Sequence, residues 1–241
     1  SSDLYSGSAV FQFYNKSAPK KPGKGVGETL GSDEPSSYIE LAAIPEWRKK
    51  LSNIWAQEFQ LDGKSWQTVE HYYQGSKFKK ENPEFYNKFS LDSGSEISRD
   101  PVIAKKAAGK AANKYRPSKV SIDKDFLRGR NSREMETAIK AKFTQNKALK
   151  NLLLATKKAK LLHFIRSKAP KVCNDLMRVR QMLGSEDTNK DKQGALKLNT
   201  SIVKQTVQPS VPSPAAPVIP PVEPLIKQQT SPVKSINQPT A

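Results

Sequence analysis

Hydrophobic and polar positions change period several times along the first 184 residues of the chain and lose any period after that. Residues 9–14, AVFQFY, alternate as a short strand does, whereas 15–37 show no period and read as a long loop. YIELAAI at 38–44 has helical spacing and leads into the basic stretch EWRKKLSN. EFQLDGKSW at 58–66 reads as strand, turn, strand, because Asp62-Gly63 suits the two-residue hairpin turn whose central residues need positive φ. A helix follows, with Thr68 as N-cap. ENPEFYNKF predicts another, and DPVIAKKAAGKAANKY a third that opens on Pro101. NSREMETAIKAKF begins as a capping box, Asn131 as N-cap and Glu134 three residues on, with Met135, Ala138, Ile139 and Phe143 at helical spacing. ALKNLLLAT predicts a further helix and AKLLHFI a strand. Val172, Leu176, Val179 and Leu183 form the stripe of a last helix, with Gly184 as its C-terminal cap. The fold class is α+β: a mostly helical single domain with a small sheet over 1–184.

Composition sets that domain apart from the remainder of the chain. The last aromatic residue is Phe164, nine of the 17 prolines lie beyond residue 184, and 185–241 is largely Pro, Gln, Ser, Thr and Val. Such a segment cannot bury a core, and a disordered tail is expected there. The tail holds six lysines and four acids, which leaves +16 of the net +18 on residues 1–184. A surplus of that size attracts phosphate-bearing partners, nucleotide or nucleic acid, although a lysine-rich surface alone also produces it. One cysteine, Cys173, excludes an internal disulfide, and with two histidines it falls short of a usual zinc set, so metal-free, cofactor-free chemistry in an intracellular setting, cytoplasmic or nuclear, is expected. No apolar run reaches the roughly 20 residues a bilayer requires, and SSDLYSGSAV lacks the order of a signal peptide; no membrane partner is expected. Gly23, Gly25 and Gly27 have the density of an anion nest, but the P-loop spacing is missing and the connector reading is kept.

The stretch GKSWQTVEHYYQGSKF, 63–78, carries the candidate chemistry. At 3.6 residues per turn Glu70, Tyr73, Gln74 and Lys77 share one helix face, with His71, Gly75 and Phe78 beside it, and Val69 is the stretch's one aliphatic residue. That face reads as the wall of a site. Glu70 stands near a helix N-terminus, which favours its ionised form, although an acid there also serves stability alone. A carboxylate beside a basic residue suits cleavage of a bond between a ribose carbon and nitrogen, because the transition state resembles an oxocarbenium ion. Lys77 has two roles open to it: pairing with phosphate, or attack on an opened sugar's aldehyde as a free amine. His71 is one position off the face and reads as a hydrogen-bonding wall residue, not the base. Arg128, Arg130 and Asn131 precede a helix and suit phosphate.

LSNIWAQEFQLDGKSWQTVEHYYQGSKF, with the later RGRNSREMETAIKAKFTQNKALKNLLLATKKAKLLHF, resembles the two signature blocks of the NADAR family, named for NAD and ADP-ribose, which contains the YbiA-like N-glycosidases. The resemblance spans about 9–183 and implies a YbiA-like fold and hydrolysis of N-glycosidic bonds, either in phosphorylated riboflavin-pathway intermediates or in ADP-ribose attached to guanine. Carried over by motif, Glu70 and Lys77 are the catalytic pair. Asn53 falls in the Leu-Ser-Asn element, and Phe143, Gln145 and Asn146 in the Lys-Phe and Gln-Asn elements, so that with Trp66, His71, Tyr73, Gln74, Arg128, Arg130 and Asn131 they are the expected substrate-binding set. The compact bacterial pattern ends in an acid where His163 stands here, and this ending resembles versions from large DNA viruses, which would place the protein in a host cell. The expected activity is release of ADP-ribose from a modified guanine base or nucleic acid. Two alternatives use the same residues: a module that binds NAD or ADP-ribose without turnover, and a basic nucleic-acid-binding module in which Trp66, Tyr72 and Tyr73 stack on bases.

Overall fold

The computed structural model describes residues 4–6, 8–109 and 113–187, all within the compact unit Ser1–Leu196. Strand β1 (Val10–Phe13) pairs in parallel with β4 (Lys160–His163), Val10 opposite Lys160 and Phe13 opposite His163. β4 pairs on its other edge, antiparallel, with β5 (Lys171–Val172). Parallel neighbours need a crossover, and here nearly the whole helical part of the domain is that crossover. Phe11 and Leu161 are fully buried on the sheet's inner face, where the Phe11 ring meets Tyr38 edge-on at 5.0 Å and Trp47 at 5.3 Å. Tyr38 and Trp47 flank the short helices α1 (Ile39–Ala43) and α2 (Trp47–Lys50).

The glycine loop before α1 serves the chain's own carboxylate. Gly25 N–H donates to Glu28 Oε2 at 2.9 Å, Gln12 N–H to Oε1 at 3.2 Å, and Arg48 to both oxygens at 2.7 and 2.6 Å. The predicted hairpin is present as β2 (Phe59–Leu61) and β3 (Lys64–Trp66), with Asp62 and Gly63 at φ of 55° and 67°. Helix α3 (Val69–Gly75) follows with Thr68 as N-cap, and a 3-10 turn, Ser76–Phe78, extends it. Gly75 is required by packing, since a Cβ there would lie 2.9 Å from Phe89 Cβ. Helices α4 (Pro83–Asn87), α5 (Glu96–Arg99), α6 (Pro101–Ala107), α7 (Asn131–Gln145) and α8 (Lys147–Ala155) complete the crossover, and α9 covers 174–187.

Three sequence expectations are corrected here. Asn131 does not cap α7: Arg130 holds the N-cap position without a side-chain cap, and Glu134 turns to Arg130 and Tyr72 instead of reaching back. Val172 belongs to β5, where it pairs with Leu162, two residues before α9 begins. Gly184 lies inside α9, where a Cβ would sit 3.7 Å from Leu154 Cδ2, and the Lys150–Asp187 ion pair holds the helix beyond it. Residues 185–187 of the expected tail are therefore helical, and 188–241 lie outside the described residues.

Arg130 is 5% exposed and joins four segments. It donates to Asp123 at 2.6 Å, Asp125 at 3.0 Å, Glu134 at 3.1 Å and the Ser76 carbonyl at 2.7 Å. Glu134 accepts in turn from Tyr72 at 2.6 Å, and Asp62 in the hairpin turn takes Lys79 at 2.6 Å and Tyr86 at 3.0 Å. Removing one member of a buried ion pair strands the other, which costs about 3–5 kcal/mol. Arg130→Met is expected to lose that much in urea unfolding, and a loss below about 1 kcal/mol would show that the carboxylates re-pair or hydrate at little cost.

Candidate functional site

The site is organised by the first turn of α3. Thr68 Oγ1 accepts from His71 N–H at 3.2 Å and meets His71 Nδ1 at 2.8 Å, so His71 is spent on the cap. Glu70, the second residue of the helix, donates its N–H to the Asn53 carbonyl at 3.0 Å. One turn later Gln74 Nε2 donates to Glu70 Oε1 at 2.8 Å, fixing the carboxylate from the side. The turn that supplies the Asn53 carbonyl is itself clamped: Lys142, fully buried on α7, donates to the carbonyls of Lys50 at 3.1 Å and Ser52 at 2.9 Å.

Glu70 opens on a cleft of about 480 Å³. Ser52, Asn53 and Ile54 form the wall beside it, α6 contributes Pro101, Val102 and Lys105, and α7 contributes Met135 and Ile139. The end of the sheet closes the far side with Phe13, His163 and residues 171–173, and α9 adds Asp175 and Leu176. Burial, with the charges of Lys171 and Lys105, lowers the pKa of His163. Burial pushes the Cys173 thiol up to about 12, which leaves it unreactive. Burial also raises Asp175, against the pull of Arg178. Among the described residues no cluster of His, Cys, Asp and Glu is placed to hold a metal ion, and no helix is long and apolar enough to cross a membrane.

Of the residues singled out in the sequence, Glu70 and Asn53 line this cleft together. Gln74 is 5% exposed and acts on Glu70 from behind. Tyr73 lies half-buried with its ring 5.5 Å from Phe126, and the Asn131 side chain is at its hydroxyl; burial, then the Glu70 charge, raises its pKa. Lys77 lies on the same helical path one turn beyond Tyr73, but its side chain is not part of the cleft lining. Its amine donates to the Ala108 carbonyl at 3.1 Å. Burial lowers its pKa, Glu70 opposes that, and Arg116 and Lys105 reinforce it.

The remaining expected ligand contacts are buried or already engaged with other groups of the chain. Trp66, His71 and Phe143 are at most 1% exposed and belong to the core. Arg130 is saturated by carboxylates, and Arg128 is exposed on the π turn Phe126–Arg130, away from the cleft. Gln145 exchanges two bonds with the Gln60 backbone, both at 2.7 Å, and Asn146 Nδ2 donates to the carbonyls of Glu58 and Lys142. These two stitch α7 to the hairpin. Lys105 and Lys171, which the sequence does not single out, reach the cleft only through helix and strand packing, and Met135 and Ile139, read from sequence only as an apolar helix stripe, line it as well.

The NADAR domain matches residues 44–167 of the chain. The chain belongs to the NADAR domain family. It is 33% identical over 114 residues to the protein named N-glycosidase YbiA of Escherichia coli (strain K12), and equally to that of Shigella boydii serotype 4 (strain Sb227). Each match takes in 46% of this chain and 60% of the relative, so the chain spans less than two thirds of the curated relatives it matches. The NMR structure of the E. coli protein YbiA aligns with a TM-score of 0.45 and 22% identity, over 77% of this chain and 89% of that one. The NADAR match takes in the Glu70 side of the cleft and His163, but Phe13, Asn15, Lys171, Val172, Cys173, Asp175 and Leu176 lie outside the matched residues.

Lys142 gives this NADAR domain a testable pH signature. Burial lowers its pKa from 10.5 to about 7. Between those values the unfolded chain binds a proton that the folded chain does not, so stability rises with pH across the window; below about 7 both states are protonated and the full cost of the buried charge remains. Urea unfolding at the two ends of the window should show this rise in the parent and a flatter profile in Lys142→Met. Parallel profiles would mean that the folded protein keeps the amine charged throughout.

Proposed function

We propose that the protein is an N-glycosidase that hydrolyses the bond between a ribose C1′ and a base nitrogen, with an ADP-ribosyl group on guanine, free or in nucleic acid, as its substrate. The observation that carries this reading is the placement of Glu70: its carboxylate accepts from Gln74, its backbone N–H is bound by the Asn53 carbonyl, and it faces a cleft large enough for a nucleotide-sized group. The names of the NADAR relatives support the reaction class, and the chain's +18 charge supports a phosphate-bearing substrate.

In the reaction the C1′–N bond breaks with its electron pair leaving on the base nitrogen, which takes up a proton. Positive charge spreads over C1′ and the ring oxygen, and the Glu70 carboxylate stabilises it. Water then adds to C1′, its proton passing to Glu70 and from there to solvent, which supplied the proton taken up by the base, and the free ribosyl product leaves. Lys77 enters in one of two ways. Burial lowers its proton affinity, opposed by Glu70 and reinforced by Arg116 and Lys105; as a free amine it adds to C1′ of the ring-opened ribosyl group and expels the base nitrogen with a proton, leaving an imine that water hydrolyses to the aldehyde and the restored amine. The other role is electrostatic, holding the substrate's phosphate as a cation.

Incubation with NAD, ADP-ribosylated guanine nucleotides and ADP-ribosylated DNA, followed by mass spectrometry, is expected to show ADP-ribose released from a guanine-linked substrate. Binding of ADP-ribose with no release from any of them would leave a binding module. Glu70→Gln should keep the fold and the affinity while turnover falls on the order of a hundredfold or more. Turnover within a few-fold of the parent would reduce Glu70 to a helix-terminus acid. Lys77→Arg, whose guanidinium cannot act as a nucleophile, should be inactive, and borohydride added during turnover should fix a covalent adduct on Lys77. An active Lys77→Arg enzyme with no adduct would assign Lys77 the electrostatic role.

A further inference from the structure

We propose that Arg116, together with Lys105, forms an anion subsite that takes the phosphate group of a nucleotide-sized ligand beside Lys77. The site stands on an unpaired buried guanidinium. Arg116 is 3% exposed, yet its Nε and Nη1 have no hydrogen-bond partner, and its guanidinium lies 5.5 Å from the Phe78 ring centroid. Burial alone shifts its pKa, downward, with no carboxylate acting against that. The other buried arginines are treated differently. Arg48 is paired with Glu28, Arg130 with three acids, and Arg180 donates to the oxygens of Thr156, Ala159 and Leu4. A charged group taken out of water without a partner costs several kcal/mol and is retained where a ligand supplies the partner.

Its neighbours point to the same ligand chemistry. The charges of Arg116 and Lys105 both act on Lys77, and Lys105 also lines the Glu70 cleft. A phosphate offers the paired oxygens that a guanidinium fork binds two at a time, with an ammonium as a second point of contact. The 128–131 segment, expected from sequence to hold phosphate, has its buried arginine already committed to acids, whereas Arg116 is not. That the phosphate belongs to the substrate rests on the N-glycosidase reading; that the site takes phosphate does not.

The test uses the full chain and pyrophosphate as probe, by isothermal titration calorimetry and thermal melting at fixed ionic strength, with the parent, Arg116→Gln, Arg116→Lys and the exposed-site control Lys168→Gln. Without ligand, Arg116→Gln should melt at or above the parent, because it removes an unpaired charge. With pyrophosphate, the parent should be stabilised, and Arg116→Gln should lose about tenfold or more in affinity. Arg116→Lys should fall between them, and Lys168→Gln should match the parent. An Arg116→Gln protein that melts several degrees lower without ligand, or fails to fold, would make the guanidinium structural and overturn the proposal. So would a parent that does not bind pyrophosphate, or equal affinity in parent and Arg116→Gln. Because no turnover is measured, a protein that binds pyrophosphate through Arg116 but releases no ADP-ribose keeps this subsite and loses the N-glycosidase reading. The reverse result loses the subsite alone.

Discussion

One guanidinium, that of Arg130, ties the end of the site helix to the start of the helix beneath it. Its bonds to the Ser76 carbonyl and to Glu134, and the bond from Tyr72 to Glu134, leave α3 and α7 no freedom to slide past one another. A second buried cation, Lys142, acts further along α7 on the turn at 50–52. The Asn53 carbonyl then receives the Glu70 N–H, so the backbone that carries Glu70 is held through two cations outside the cleft lining, and Gln74 fixes the carboxylate itself. Breaking a buried charge cluster is expensive and relaxing it part-way is not favourable, which is why such clusters hold geometry well.

Much of this was legible locally. The Asp62-Gly63 turn, the Thr68 cap and the face shared by Glu70 and Gln74 follow from spacing and residue type, and the strand at 160–163 follows from its alternation. What failed was the assumption that polar residues near a motif serve that motif. Asn131 and Glu134 have capping-box spacing, but Arg130 offers Glu134 a charged partner in a dry setting, and that bond wins over a backbone N–H. Arg128, Arg130 and Asn131 looked like a phosphate site for the same reason. Gln145 and Asn146 carry a family motif, and in the structure they bind the hairpin backbone.

The far side of the cleft was invisible in the sequence. Phe13 and His163 meet because β1 and β4 pair in parallel across about 150 residues, and their rings lie 5.7 Å apart at the sheet's end. Nothing local announces such a pairing. The unpaired state of Arg116 is likewise a fact of packing: in sequence it is one of 41 basic residues, and only burial without a partner distinguishes it. Of the residues on the far side of the cleft, His163 lies within the NADAR match, whereas Phe13, Lys171, Val172, Cys173, Asp175 and Leu176 lie outside it.

The central claim is that a ribosyl ligand lies in the cleft beside Glu70, and amide NMR of the isotopically labelled protein titrated with ADP-ribose tests it most directly. The account predicts the largest shifts at Asn53, Ile54, Glu70, Lys105 and Ile139, the residues around the carboxylate. Shifts confined to the separate groove lined by Trp55, Gln57 and Asn146, with the Glu70 amide unmoved, would contradict it.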